Sequence, residues 1–323
     1  MYLTNENLTF VRKNESSFVS LKYLDLQGNL NQIDSSSRNI LADSNNHGFE
    51  VSKNICLLAI NSKGFCDPFR AIPTTSFLCV NIADDLNIRK YASKLSYDFS
   101  ANIVASFEAE LTFWINSPIE EDHFARVDPF DHYSNLRSDI IDILEKIDIK
   151  TTIHMPGKKN GECIIGFKGE NIIDLADNFV LTKFIINNVA ANYGKKVNFT
   201  QEKERNLKLV LLCNDNDGKV FFDNFIANHS LIVNYNNLLQ MNNLDSKSLS
   251  KRKLFNDDCK LQIKLTTGDN FIPYINFAFI ILYFSESKNI IERLEERDFI
   301  RFIKNYKKKL LKKLSKIKLN CII

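Results

Sequence analysis

The residues best suited by type and spacing to chemistry lie in Phe107-Glu108-Ala109-Glu110-Leu111-Thr112-Phe113-Trp114-Ile115. The β-branched and aromatic content predicts a strand. Two-residue alternation then puts Glu108, Glu110 and Thr112 on one face and Phe107, Ala109 and Leu111 on the other. Two carboxylates and a hydroxyl therefore point the same way, and the other acids nearby in sequence are Glu120, Glu121 and Glu162. The plainer reading of Glu110 is a solvated or ion-paired surface carboxylate. His154, close to a Pro-Gly turn, reads as structural or exposed, and Lys183 as a lysine whose stem covers apolar surface. The loop Gly157-Lys158-Lys159-Asn160-Gly161 lacks the G-x-x-x-x-G-K-[ST] spacing of a phosphate cradle.

The elements around this strand follow in a specific order. An amphipathic helix is predicted over Leu136-Arg137-Ser138-Asp139-Ile140-Ile141-Asp142-Ile143-Leu144, then His154-Met155-Pro156, then a second strand over Gly161–Phe167. Leu175-Ala176-Asp177-Asn178, Lys183, and Val189-Ala190-Ala191-Asn192-Tyr193-Gly194 running into Val197-Asn198-Phe199 complete the segment. These spaced anchors resemble the glutamine synthetase family. There a strand F-G-P-E-x-E-F-F is followed by L-R-x-x-I-x-x-x-L, H-H-E-V-A-x-G-Q-x-E-I, A-D-N-x-x-x-x-K and A-x-x-x-G-x-x-x-x-F. Upstream, Val19 to Asn29 looks like the family's V-D-L-R-F-T-D-x-x-G-K, and Asp67-Pro68-Phe69 its D-P-F. Downstream, the strand Leu207–Leu212 with Asp217-Gly218-Lys219 is similar to H-x-H-x-S-x-x-x-D-G-K. Lys260 to Lys264 stands where family members read R-x-E-x-R, and Pro273 to Ala278 resembles N-P-Y-L-A-F-A.

The resemblance implies a site that holds two or three divalent cations against the phosphates of ATP and against glutamate. Glu110 matches the first strand carboxylate, and the other ligand positions fall on Thr112, Pro156, Ile164, Leu209 and Gln262. The second histidine and the serine of the hairpin pattern fall on Leu211 and Cys213. Lys264 replaces an arginine and loses its planar fork. The family's arginine motifs and acidic flap are replaced by the short, Asn- and Ser-rich Asn242–Asp258. Asp25 falls on the acid that in family rings reaches a neighbour's active site, although an Asp opening a tight turn needs no such role. The drift toward apolar residues predicts a filled core where the family keeps a charged funnel.

Length and composition fit this frame. The chain has 323 residues, 44% apolar and 25% charged, which accommodates two domains and a buried core. Net charge is 42 − 39 = +3, so a polyanion partner for the whole molecule is not implied. Seven scattered cysteines without C-x-x-C pairs predict neither a disulfide framework nor a zinc site and suit a reducing cytoplasm. The polar start has no apolar signal core, and Phe271–Phe284 is too short for a bilayer span and reads as a buried helix. The expected class is α+β: a small N-terminal β-grasp domain over 1–85, then over 86–290 a shortened catalytic-type domain, a curved antiparallel sheet with packed helices. A basic C-terminal helix is expected over 291–323.

Two functional readings follow. The first is a family member without glutamate–ammonia ligase activity, serving for binding or structure, with no cofactor. The second is an active ATP-dependent ligase with ATP and Mg2+ held by a rearranged acid set in which Glu108 stands beside Glu110. Self-association as monomer or dimer is expected in place of the family's stacked rings. The lysines from Lys304 to Lys318 flank an apolar stripe that either docks on the body or contacts anionic lipid or nucleic acid.

Overall fold

The computed structural model describes residues 3–25, 28–42, 49–60, 64–83, 89, 92–93, 106–116, 127–128, 130–200, 206–214, 249–253 and 258–265. Of 106, 212–214, 249–253 and 258–265 it describes the backbone alone. The expected helix over 271–284, the boundary after residue 85 and the basic tail lie outside these residues.

The N-terminal lobe begins with α1 (Asn5–Lys13), whose start is fixed by a reciprocal cap between Thr4 and Asn7. β1 (Phe18–Leu24) pairs antiparallel with β2 (Leu30–Ser36) and parallel with β6 (Thr74–Asn81). α2 (Ser37–Ala42), β3 (Phe49–Ser52), β4 (Ile55–Ala59) and β5 (Phe65–Cys66) complete a mixed sheet in the order β2-β1-β6-β4-β3, with β5 also on β6. Val19, Leu21, Leu57 and Phe77 form its core with Leu8 and Val11 of α1.

The second sheet is antiparallel throughout. β7 (Ser106–Ile115) lies between β9 (Glu162–Gly169) and β11 (Leu207–Asn214). β8 (Thr151–Pro156) flanks β9, while β13 (Asp258–Leu265) and β12 (Leu249–Lys253) continue beyond β11. The two-residue β10 (Val197–Asn198) adds to the end of β7. Two helices, α3 (Ser134–Lys146) and α4 (Ile172–Asn192), supply the core on one side. Leu136, Ile140 and Leu144 of α3 and Leu175, Phe179 and Ile186 of α4 meet Phe107, Ala109, Leu111 and Phe113 of β7. Asn171 caps α4 by accepting from the amides of Ile173 and Asp174. Helices gathered on one face of an antiparallel sheet define the expected α+β class.

The lobes meet through Lys22. Its ammonium is fully buried, donates to Asp67 (3.1 Å), Ser20 (3.1 Å) and Gln32 (2.7 Å), and lies 4.6 Å from the Phe184 ring of α4. Phe69 packs edge-on against the same ring at 5.8 Å. The D-P-F segment therefore serves as a joint between the lobes.

Candidate functional site

On β7 the predicted alternation holds. The odd-numbered residues Phe107 to Ile115 are buried, and Glu108, Glu110 and Thr112 occupy the face away from the helices. The ladders carry that face across the sheet: Glu110 lies opposite Gly166 and Lys208, Thr112 opposite Ile164, and Glu108 opposite Lys168 and Val210. Ile164 therefore does share a face with Glu110.

Leu209 and Leu211 do not. They lie opposite Ala109 and Phe107, inside the helix-covered core, so alternation gives Glu110 the company of Lys208 and Val210 instead. Pro156 is also on the helix side, opposite the buried Cys163, and it is Met155 that stands across from Ile164. The histidine and acid positions aligned by motif are thus displaced by one residue from those that face Glu110. Gln262 lies in register with Val210 on β13.

The Glu110 face is mixed: the fully buried Val210 and the half-buried Ile164 and Met155 share it with two ion pairs. Both Glu110 oxygens accept from the Lys208 ammonium, at 2.7 and 2.8 Å, and Glu108 accepts from Lys168 at 2.8 Å. These lysines escaped motif reasoning, but the alternation Leu207-Lys208-Leu209 and Phe167-Lys168-Gly169 already marked them as opposed to the helix side. Glu162 does not join the pair. Its carboxylate accepts from the amides of Lys158 and Lys159 and shapes the hairpin between β8 and β9. Glu120 and Glu121 lie outside the described residues. Among the described residues no group of three His, Cys, Asp or Glu side chains is arranged to hold a metal ion.

Asp25 builds a turn. One carboxylate oxygen accepts from the Asn29 amide at 2.9 Å and the other from the Asn29 side chain at 3.1 Å, with Gly28 at a φ of 84°. His154 faces the helices with a buried, unpartnered Nδ1, and burial together with Arg137 pushes its pKa below the ordinary value. Arg137, buried on α3, pairs with Asp131 and donates to the Cys163 thiol at 3.7 Å. Burial pushes that thiol up to about 11 despite the guanidinium. Lys183 rests over the rings of Phe199 (4.7 Å) and Phe179 (5.8 Å), the packing role its stem suggests.

The fold is an antiparallel sheet backed by helices on one face, and comparisons with known proteins show what it is similar to. The family described as "Glutamine synthetase, catalytic domain" matches residues 91–206, so this stretch is similar to that catalytic domain. A glutamine synthetase of Frankia alni is 23% identical over 250 residues, covering 59% of this chain and 53% of the relative. One from Nostoc sp. is 31% identical over 74 residues, 23% of this chain and 16% of the relative. The chain thus spans about half or less of these relatives. The Plasmodium falciparum glutamine synthetase structure superposes with a TM-score of 0.67 at 12% identity, covering 92% of this chain and 76% of the other. Ligand-free GmaS also gives 0.67 at 12% identity, with coverages of 86% and 79%. At such identity the structures speak for the fold alone.

Among the described residues, the two glutamates of this face are each ion-paired to a lysine, an arrangement that disfavours a divalent cation there. A divalent cation about 4 Å from an ammonium is repelled by about 2 kcal/mol in water and about 8 kcal/mol at an effective dielectric near 20. Each lysine therefore cancels what its own glutamate offers a metal. No helix among the described residues is long and apolar enough to cross a membrane.

Proposed function

We propose that this protein is a glutamine synthetase family member without glutamate–ammonia ligase activity, acting through binding or structure. The observation that carries the reading is the Lys208 ammonium bonded to both oxygens of Glu110, the one acid aligned with a family metal ligand. Both side chains are about a quarter exposed, a setting in which an ion pair contributes about 0–1 kcal/mol of stability, so fold stability alone gives weak reason for it. Phosphoryl transfer to glutamate depends on cations and arginines that neutralise and position the phosphates, and the arginine-bearing stretch is replaced by Asn242–Asp258. The N-terminal lobe is read as a β-grasp domain over 1–85, joined to a shortened catalytic-type domain over 86–290. The setting is taken to be cytoplasmic.

The purified chain should form no glutamine from glutamate, ammonia and ATP. Millimolar Mg-ATP should leave its melting temperature unmoved, whereas a ligand at about 100 times its Kd stabilises by about 2.7 kcal/mol. ATP-dependent glutamine formation, with a Mg-ATP stabilisation that disappears in Glu110→Ala, defeats the reading and restores the active-ligase alternative. Without a catalytic site to be completed by a neighbour, the chain is proposed to be a monomer or dimer. Light scattering that returns the mass of a double ring contradicts that.

A further inference from the structure

Seven cysteines are spread along the chain, and the strand register brings one pair of them together. Cys213 of β11 stands directly opposite Cys259 of β13, one position from the end of that antiparallel ladder. Lys253 of β12 stands opposite Cys259 on its other side, so one row across three strands reads Cys213, Cys259, Lys253. No other described cysteine meets one across a strand. Cys56 lies opposite Glu50, Cys66 opposite Thr75, Cys79 opposite Tyr23 and Ala59, and Cys163 opposite Phe113 and Pro156. Those four are free thiols.

Whether two cysteines can be bridged is decided by the backbone that carries them. Opposite residues of an antiparallel pair share a face, with Cα atoms about 5.5 Å apart at hydrogen-bonded positions and about 4.5 Å apart at the others. A disulfide spans about 4.4–6.8 Å between Cα atoms, so either kind of position accommodates one. A cysteine on a strand is ordinarily a small apolar residue, and a single one would need no other account. Two at one register position, on strands separated in sequence by residues 214–258, are a different observation. The lysine in the same row adds chemistry, because a neighbouring cation favours the thiolate, and the thiolate is the form that attacks a disulfide.

We infer that Cys213 and Cys259 form a reversible cross-strand disulfide by exchange with glutathione disulfide. Cys259, next to Lys253 in the row, attacks one sulfur of glutathione disulfide. The S–S bond breaks, a mixed disulfide forms, and the departing glutathione thiolate takes the proton that Cys259 gave up. Cys213 then attacks the Cys259 sulfur and expels the second glutathione, which takes the proton of Cys213. Both protein thiols are oxidised, and one glutathione disulfide is reduced to its two thiols. The bond ties β11 to β13 and closes residues 214–258 into a covalent loop, which constrains the unfolded chain and raises stability. It does not depend on whether the protein makes glutamine.

The test incubates the full chain with glutathione disulfide, blocks the remaining thiols with iodoacetamide in denaturant, and maps the peptides by mass spectrometry without reduction. A peptide pair joining Cys213 to Cys259 of the same chain is expected, and dithiothreitol should remove it. Oxidation should raise the melting temperature of the wild type by several degrees and leave that of Cys259→Ser unmoved. Cys213→Ser should stop at the mixed disulfide on Cys259, and Lys253→Glu should slow the first step several-fold. Absence of the linked pair from the folded wild type overturns the proposal. So does finding Cys213 and Cys259 joined as often to Cys66, the exposed thiol. The linked pair is read in the wild-type chain, so a variant that does not fold leaves the decision intact. A Lys253→Glu rate equal to that of the wild type overturns the assignment of Cys259 as the attacking thiol.

Discussion

Replacing Lys22 by methionine keeps the stem and removes the charge from a place where both partners are sealed off, with side-chain exposures of 1% for Lys22 and 2% for Asp67. Burial lowers the lysine's pKa even though Asp67 pulls the other way, so desolvation outweighs the attraction within the pair. The intact pair is therefore a weak source of net stability, but breaking it strands a buried carboxylate. Removing one partner of a buried pair costs about 3–5 kcal/mol. Asp67 would still accept from the Ser76 hydroxyl and the Phe69 amide, both at 3.1 Å, which puts the expected loss near the lower end, about 3 kcal/mol. Urea unfolding should show this as a lower midpoint at unchanged slope. Adding Asp67→Asn to Lys22→Met should recover part of the loss, because the stranded charge is then gone. A single-variant loss under about 1 kcal/mol, or strict additivity in the double-mutant cycle, would refute the argument.

Gly161→Ala should destabilise by more than about 1 kcal/mol in the same assay, since the residue sits at a φ of 68° and a Cβ there would lie 2.2 Å from the Ile115 carbonyl oxygen. Cys163, held up to about 11 against an ordinary 9, is protonated in the folded chain over a range where the unfolded chain ionises. Its contribution is therefore fully present below pH 9 and lost as pH rises toward 11, up to about 2 kcal/mol. Wild type should lose that stability relative to Cys163→Ala in alkaline melts. In peptide-mapped thiol labelling of the native chain, the exposed Cys66 should react well before the buried Cys79 and Cys163.

Motif spacing and residue alternation are separate signals in this sequence, and they fail in different places. The order of anchors from Phe107 to Phe199 was enough for the fold and for the similarity to a glutamine synthetase catalytic domain, because a helix such as Ser134–Lys146 and a strand such as Glu162–Gly169 need only the right residues at the right period. Alternation along β7 was enough to place Glu108, Glu110 and Thr112 together. What spacing could not set was the face of a residue on a neighbouring strand, because a one-residue slip in alignment costs nothing in a motif and reverses every side chain in a sheet. Leu209 and Pro156 were aligned to ligand positions in that way, yet both face the helices. For Leu209 the residue pattern itself carries the correction. Leu207, Leu209 and Leu211 alternate with Lys208, Val210 and Leu212, and the one charge in the run, Lys208, marks the face opposite the leucines 207, 209 and 211. What remained illegible was the pairing of Lys208 with Glu110 and of Lys168 with Glu108, since residues 98 and 60 apart meet only through the strand order β11-β7-β9. Once that order is known, Thr112, Ile164, Lys168 and Lys208 fall on one face with the two glutamates, and each ammonium there opposes a divalent cation at the carboxylate it pairs with.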